Sequence, residues 1–160
     1  FNAFGADGEE KLDVYLANAI LQRNNQKEYP FIVFDKGSGK IVGSTRYYSV
    51  FSELKTIEIG YTWYGKSYQG TGINKNCKFL LLEFAFDRLQ MERVAFAANV
   101  LNTRSINAMK SIGCIEEGVL RNCHLDADGN RIDVMRLSIL KREWENEIRE
   151  KLKGQIRTAQ

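Results

Sequence analysis

The stretch Tyr68-Gln69-Gly70-Thr71-Gly72-Ile73-Asn74 decides how this chain is read. Before it, Thr56-Ile57-Glu58-Ile59-Gly60-Tyr61-Thr62-Trp63 is rich in β-branched and aromatic residues and reads as a strand. After it, Cys77, Leu80, Leu81, Phe84 and Leu89 recur at roughly helical spacing. A glycine turn that opens a helix leaves main-chain N–H groups unpaired and pointing one way. The helix dipole adds partial positive charge there, which suits a phosphate or diphosphate. Glycine also permits unusual φ and lets a ligand approach the backbone closely. A plain strand-to-helix turn has the same appearance. Two common nucleotide motifs are excluded: there is no Gly-Lys-Ser/Thr ending, and the spacing is not Gly-x-Gly-x-x-Gly.

Working outward, 160 residues with 44% hydrophobic and 27% charged content describe one globular domain, taken as residues 1–160, able to bury a core. A net charge of +3 without a Lys/Arg run argues against nucleic-acid binding. No apolar run reaches membrane-spanning length, and no signal peptide is visible. Cys77, Cys114 and Cys123 have neither metal-ligand spacing nor a disulfide framework, and His124 is the single histidine, so no metal site is expected. The thiols read as free core residues in a reducing cytoplasm.

The order of elements is helix, hairpin, strand, helix, strand, helix, hairpin, helix. The first helix spans about 8–25, with Asp7 as N-cap and Leu12, Leu16, Ala19 and Ile20 as its apolar stripe. Phe31 to Asp35 and Ile41 to Tyr48 form a hairpin around Lys36-Gly37-Ser38-Gly39-Lys40. Residues 56–64 and 93–98 are strands joined through the central helix, so they run parallel with a right-handed crossover. Asn102 starts a helix that ends at Gly113, which fits a C′ position. A last hairpin, about 114–124 and 131–140, turns at Asp126-Ala127-Asp128-Gly129-Asn130. Trp144, Ile148 and Leu152 then mark a helix that covers the sheet. The fold class is α+β: a mixed twisted sheet with a central parallel strand pair and flanking helices.

Six anchors in this order resemble the GNAT superfamily of acyl-CoA-dependent N-acetyltransferases, in the branch that acetylates ribosomal-protein N-termini. They are Gly43-Ser44, Glu58-Ile59-Gly60-Tyr61, Gln69-x-x-Gly72, Asn102-x-x-Ser105, Ile112-Gly113 and Glu117-Gly118-x-Leu120-Arg121, and the match runs over 31–140. The resemblance implies an acyl-CoA N-acyltransferase fold whose opening strand and helix are missing before residue 1. It implies that acetyl-CoA is the cosubstrate, with its diphosphate wrapped by main-chain N–H groups of Gln69, Gly70, Thr71, Gly72, Ile73 and Asn74. Asn102 would position the cofactor arm or cap its own helix. The arm would enter where the parallel strands part, alongside the small Ala95, Ala97 and Ala98. The pattern departs from the family at Asn74, usually Gly or Ala, and at Met109, where many members carry a tyrosine acid.

The implied reaction is direct acetyl transfer from the thioester to a primary amine, either a protein N-terminus or a small molecule. Glu58 is the candidate base, directly or through water, against an exposed strand carboxylate. Ser105 is the candidate hydroxyl near the sulfur, against ordinary helix-start chemistry. His124 is a candidate proton shuttle, against a surface or packing role. A bulge near Ile59 or Gly60 would offer an N–H to the oxyanion. An α-amine with a pKa near ~7.7–8.0 suits this weak base set better than lysine, near ~10.4, which needs roughly 4 kcal/mol to deprotonate. Polyamine or antibiotic acetylation and a non-catalytic acyl-CoA module are the alternatives. No nucleic acid or membrane partner is expected; a homodimer is compatible with the reading, as is a cytoplasmic location.

Overall fold

A computed structural model describes residues 9–126 and 128–156 of this chain. Helix α1 (Glu9–Asn24) leads into the hairpin β1 (Tyr29–Asp35) and β2 (Lys40–Phe51). Strand β3 (Thr56–Tyr64) follows, then α2 (Ile73–Glu83) with a π turn at Phe84–Arg88, β4 (Arg93–Asn99) and α3 (Thr103–Ser111). The hairpin β5 (Ile115–Leu125) and β6 (Arg131–Leu140) precedes α4 (141–155), whose middle turn, Trp144–Ile148, is also π-helical. The N-cap expected at Asp7 lies outside the described residues.

One six-stranded sheet has the order β1-β2-β3-β4-β6-β5. Only β3 and β4 pair in parallel, and all other neighbours are antiparallel. Ile57 and Ile59 on β3, Val94 and Phe96 on β4, and Leu137 and Ile139 on β6 alternate toward one face. There they meet Phe79, Leu82 and Phe86 of the crossover between β3 and β4, Ile106 and Met109 of α3, and Trp144, Ile148 and Leu152 of α4. The C-terminal stripe thus covers the sheet as its i, i+4, i+8 spacing predicts. Trp144 stacks on Phe86, ring centres 5.7 Å apart, while its Nε1 donates to Asp87 Oδ1 at 3.2 Å, so its polar end is satisfied inside the core.

Two stripes are rotated from their predicted positions. On α1 the inward residues are Leu12, Tyr15, Ala19 and Gln22, and Leu16 and Ile20 are exposed. Tyr15 fixes that rotation: its ring lies 4.8 Å from the Arg46 guanidinium, and its hydroxyl donates to the Tyr61 carbonyl at 3.5 Å. On α2 the inward residues are Lys78, Phe79 and Leu82, while Leu80 is 63% exposed and Phe84 and Leu89 also face outward. Cys123 is exposed, not core; Cys114 is buried and Cys77 half-buried.

Candidate active site

The glycine turn has the shape of a cradle. Gly70 and Gly72 hold left-handed backbone, φ 78° and 92°, and a Cβ built on either would meet nothing within 4 Å. Gly72 is the N-cap of α2 and supplies no side-chain cap, so the N–H groups of the first turn have no partner within the helix. The neighbouring side chains brace the turn from outside. Gln69 Nε2 donates to the Tyr64 carbonyl at 3.0 Å, and Thr71 Oγ1 donates to the Tyr68 carbonyl at 2.8 Å. Asn74 Oδ1 accepts from the Tyr64 hydroxyl at 3.2 Å, which ties the first turn of α2 to β3. Main-chain donors at a helix start, with open space in front of them, fit a diphosphate.

The strand that leads into this turn borders a gap in the sheet. Strands β3 and β4 pair only at Thr56–Arg93, Ile57–Val94 and Glu58–Ala95, although β3 runs to Tyr64 and β4 to Asn99. A bulge sits just past the parting point. Between Ser44–Trp63 and Arg46–Gly60, two steps on β2 face three on β3, and Tyr61 takes up the excess at φ 52°. An aromatic residue in left-handed backbone is strained, and such positions cluster at ligand sites. The bulge begins at Gly60 and centres on Tyr61, beside the Ile59–Gly60 position expected from sequence. Past it Thr62 faces α2, its hydroxyl accepting from Lys78 Nζ at 2.7 Å and lying 2.8 Å from Thr45 Oγ1 of β2. Half-buried Ala97 and Ala98 line the β4 side of the gap.

Glu58 occupies the last paired position before the gap, on the face away from α2. Arg136 of β6 holds its carboxylate in a fork, Nη1 to Oε2 at 3.0 Å and Nη2 to Oε1 at 2.8 Å. Tyr48, its register partner on β2, packs beside it; burial first, and the Glu58 carboxylate next, push that phenol far above its ordinary pKa. Tyr48 is therefore a neutral donor at any working pH. The same face carries Arg93 paired with Glu117, whose pKa is lowered chiefly by that hydrogen bond, and Ser138 donating to Glu117 Oε1 at 2.8 Å. At its other end Arg46, nearly inaccessible, pairs with Glu28 between the rings of Tyr15 and Tyr61.

The remaining candidates are not gathered around Glu58. Asn102 caps α3, its Oδ1 accepting from the Ser105 N–H at 3.0 Å, so Ser105 sits half-buried in the first turn of that helix. Because α3 packs on the α2 side, Ser105 and Glu58 approach the sheet from opposite faces. His124 lies exposed on the outermost strand, opposite Ile132, with β6 and β4 between it and β3. Met109, at the position where many family members carry the tyrosine, is buried core. Sequence reasoning missed Arg136 and Lys78. Arg136 was visible as a charged residue between Met135 and Leu137 on a strand of inward-facing alternation. Lys78 gave no signal until the rotation of α2 was known.

A mixed sheet whose central parallel strands part beside an open glycine turn is the acyl-CoA N-acyltransferase fold. Residues 6–115 match the acetyltransferase (GNAT) domain, and the chain belongs to that family. It is 36% identical over 109 residues to YdaF of Bacillus subtilis (strain 168), a protein provisionally named a ribosomal N-acetyltransferase; the match covers 68% of this chain and 58% of that protein. The chain thus spans less than two thirds of that relative's length. Among solved structures, a provisionally assigned acetyltransferase from T. thermophilus superposes with a TM-score of 0.82 at 30% identity, covering 94% of this chain and 76% of that one. A mutant form of the spermidine N-acetyltransferase SpeG from Vibrio cholerae shares the fold, TM-score 0.72 at 20% identity, over 84% and 78% of the two chains. No helix among the described residues is long and apolar enough to cross a membrane.

Proposed function

We propose that this protein transfers the acetyl group of acetyl-CoA to a primary amine, and that the amine is a protein N-terminal α-amine. The observation that carries the reading is that the open Gly70–Gly72 turn follows the unpaired end of β3 and is tied to it through Tyr64 and Asn74: the turn suits a diphosphate, the gap beside that strand the arm. The cosubstrate supplies an activated thioester carbonyl. The chain supplies the rest: main-chain donors at residues 69–74, the capped end at Asn102, a bulge N–H near Gly60 or Tyr61 for the oxyanion, and Glu58 beside the gap. In the step proposed, the amine nitrogen bonds to the acetyl carbon, the C–S bond breaks, and the amine's proton leaves through Glu58 or a water it holds. Ser105 approaches the sulfur from the other face as donor; His124 would serve only if the acceptor extends to the outer strand. The free, exposed Cys123 agrees with a reducing cytoplasm.

The acceptor is argued from charge. On the Glu58 face the carboxylates of Glu28, Glu58 and Glu117 are each matched by an arginine: Arg46, Arg136 and Arg93. Among these described pairs no carboxylate is left over with which to gather a polycation. An α-amine, partly neutral near pH ~7.5, asks little of the base. The name of the Bacillus subtilis relative points the same way.

Thiol release from acetyl-CoA, followed with an N-terminal peptide, spermidine and a lysine side-chain analogue, tests the assignment. The peptide is expected to turn over fastest; spermidine ahead of it would transfer the reading to polyamines. Tight CoA binding with no thiol released for any amine would make the protein a non-catalytic module. Glu58→Gln is expected to lower turnover by about 10²–10⁴-fold with CoA affinity unchanged. A full rate with a lowered melting temperature would leave Glu58 as Arg136's structural partner alone.

A further inference from the structure

Lys78 is a charge that the packing does not account for. It lies on the inward side of α2, 5% exposed, between Cys77 and the core residue Phe79. Its ammonium donates a 2.7 Å hydrogen bond to Thr62 Oγ1 on β3 and stands 5.8 Å from the centre of the Phe96 ring on β4. Both of those residues lie past Glu58–Ala95, the last pair before the strands separate. The ammonium therefore sits beneath the gap with one strand on either side.

Among the described residues no carboxylate pairs with it. An ammonium carries three donors, and here one goes to a neutral hydroxyl that is already engaged with Thr45. Burial disfavours the charge and pulls the lysine pKa from 10.5 to about 8. A methionine would fill the same space and join the two strands without that penalty. The charge makes sense if an acceptor arrives in the gap.

We propose that Lys78 is a binding residue for the acyl-donor arm, its ammonium donating to an amide or thioester carbonyl oxygen of the arm lying between β3 and β4. This rests on the reading that the gap takes acyl-CoA. The arm is uncharged and rich in carbonyl acceptors, and a charge-assisted bond in a place closed to water is the strong kind. Spacing agrees: Lys78 is six residues along α2 from Gly72, roughly 9 Å of helix rise, so it meets the arm and not the phosphates.

Binding of CoA and of adenosine 3′-phosphate 5′-diphosphate, which keeps every phosphate of CoA but lacks the arm, separates the outcomes. Both ligands are titrated by calorimetry into the full chain as wild type, Lys78→Met and Lys78→Arg. Lys78→Met is expected to weaken CoA tenfold or more and leave the armless nucleotide unchanged. Lys78→Arg keeps a charge but displaces it, and is expected to show the same selective loss, severalfold; it decides the matter if the methionine variant does not fold. Wild-type CoA affinity in Lys78→Met, or equal loss of both ligands, overturns the assignment while leaving the acetyl-transfer reading in place. Wild-type protein that binds neither the armless nucleotide nor CoA brings down the reading and this inference together.

Discussion

Gly72 and Gly113 have nearly the same backbone, φ 92° and 99°, and stand at opposite ends of helices. Gly113 closes α3: its N–H bonds the Lys110 carbonyl at 3.0 Å, and the next N–H, of Cys114, bonds the Met109 carbonyl at 3.2 Å. Those two bonds satisfy the carbonyls that a helix end leaves over. A Cβ on Gly113 would meet three carbons of Ile148 at 2.8–3.1 Å, whereas one on Gly72 would meet nothing. Left-handed glycine marks where the chain must turn. The space in front of it decides whether the turn exists for packing or for a guest.

Substitution at the two sites should dissociate stability from binding. Gly113→Ala faces left-handed strain of about 1–2 kcal/mol and overpacking of about 1–3 kcal/mol, so a loss of roughly 2–5 kcal/mol is expected in denaturant unfolding. CoA affinity of the folded fraction should be unchanged. Gly72→Val has open space around it and should lose only the strain of about 1–2 kcal/mol. Its CoA affinity should fall at least a hundredfold, or about 2.7 kcal/mol, because the branched side chain stands where the backbone must be approached. Gly113→Ala failing to bind while still folded, or Gly72→Val binding normally, would break the distinction.

What could be read from the sequence follows the same line between local and non-local causes. The strand at 56–64, the Asn102 cap, the Gly113 stop and the Trp144-Ile148-Leu152 stripe depend on neighbours within a turn or two, and the fold matches each. The glycine turn is equally local. The rotation of α1 is set by Arg46 and Tyr61, which arrive from β2 and β3, so Leu16 and Ile20 looked inward on spacing alone. The Glu58–Arg136 fork joins residues 78 positions apart, beyond the reach of any spacing argument. The parting of β3 and β4 could be expected from the family resemblance; that Lys78 lies under it could not.

Lys78 gives the smallest and most specific effect, because it is a charged residue in packing surroundings. Its folded pKa of about 8 is below the unfolded value near 10.5, so the unfolded chain binds the extra proton between those pH values. Stability contributed by this group is therefore lowest below pH 8 and rises as pH climbs toward 10.5, opposite in sign to a lysine held by a carboxylate. At 1.36 kcal/mol per pKa unit, the gain between pH ~8 and ~10 is about 2 kcal/mol. The titratable groups facing it, Cys77 and Cys114, are themselves raised by burial and change the total. The quantity to measure is thus the difference between wild type and Lys78→Met at each pH. Wild type should gain on the variant as pH rises from about 8 to about 10; a constant difference would mean that an anion absent from the described contacts already pairs with this lysine. Repeating the series with CoA bound links the two arguments. A carbonyl acceptor favours the charged lysine, so saturation with CoA should move the rise to higher pH, and an unmoved curve would place the arm away from Lys78.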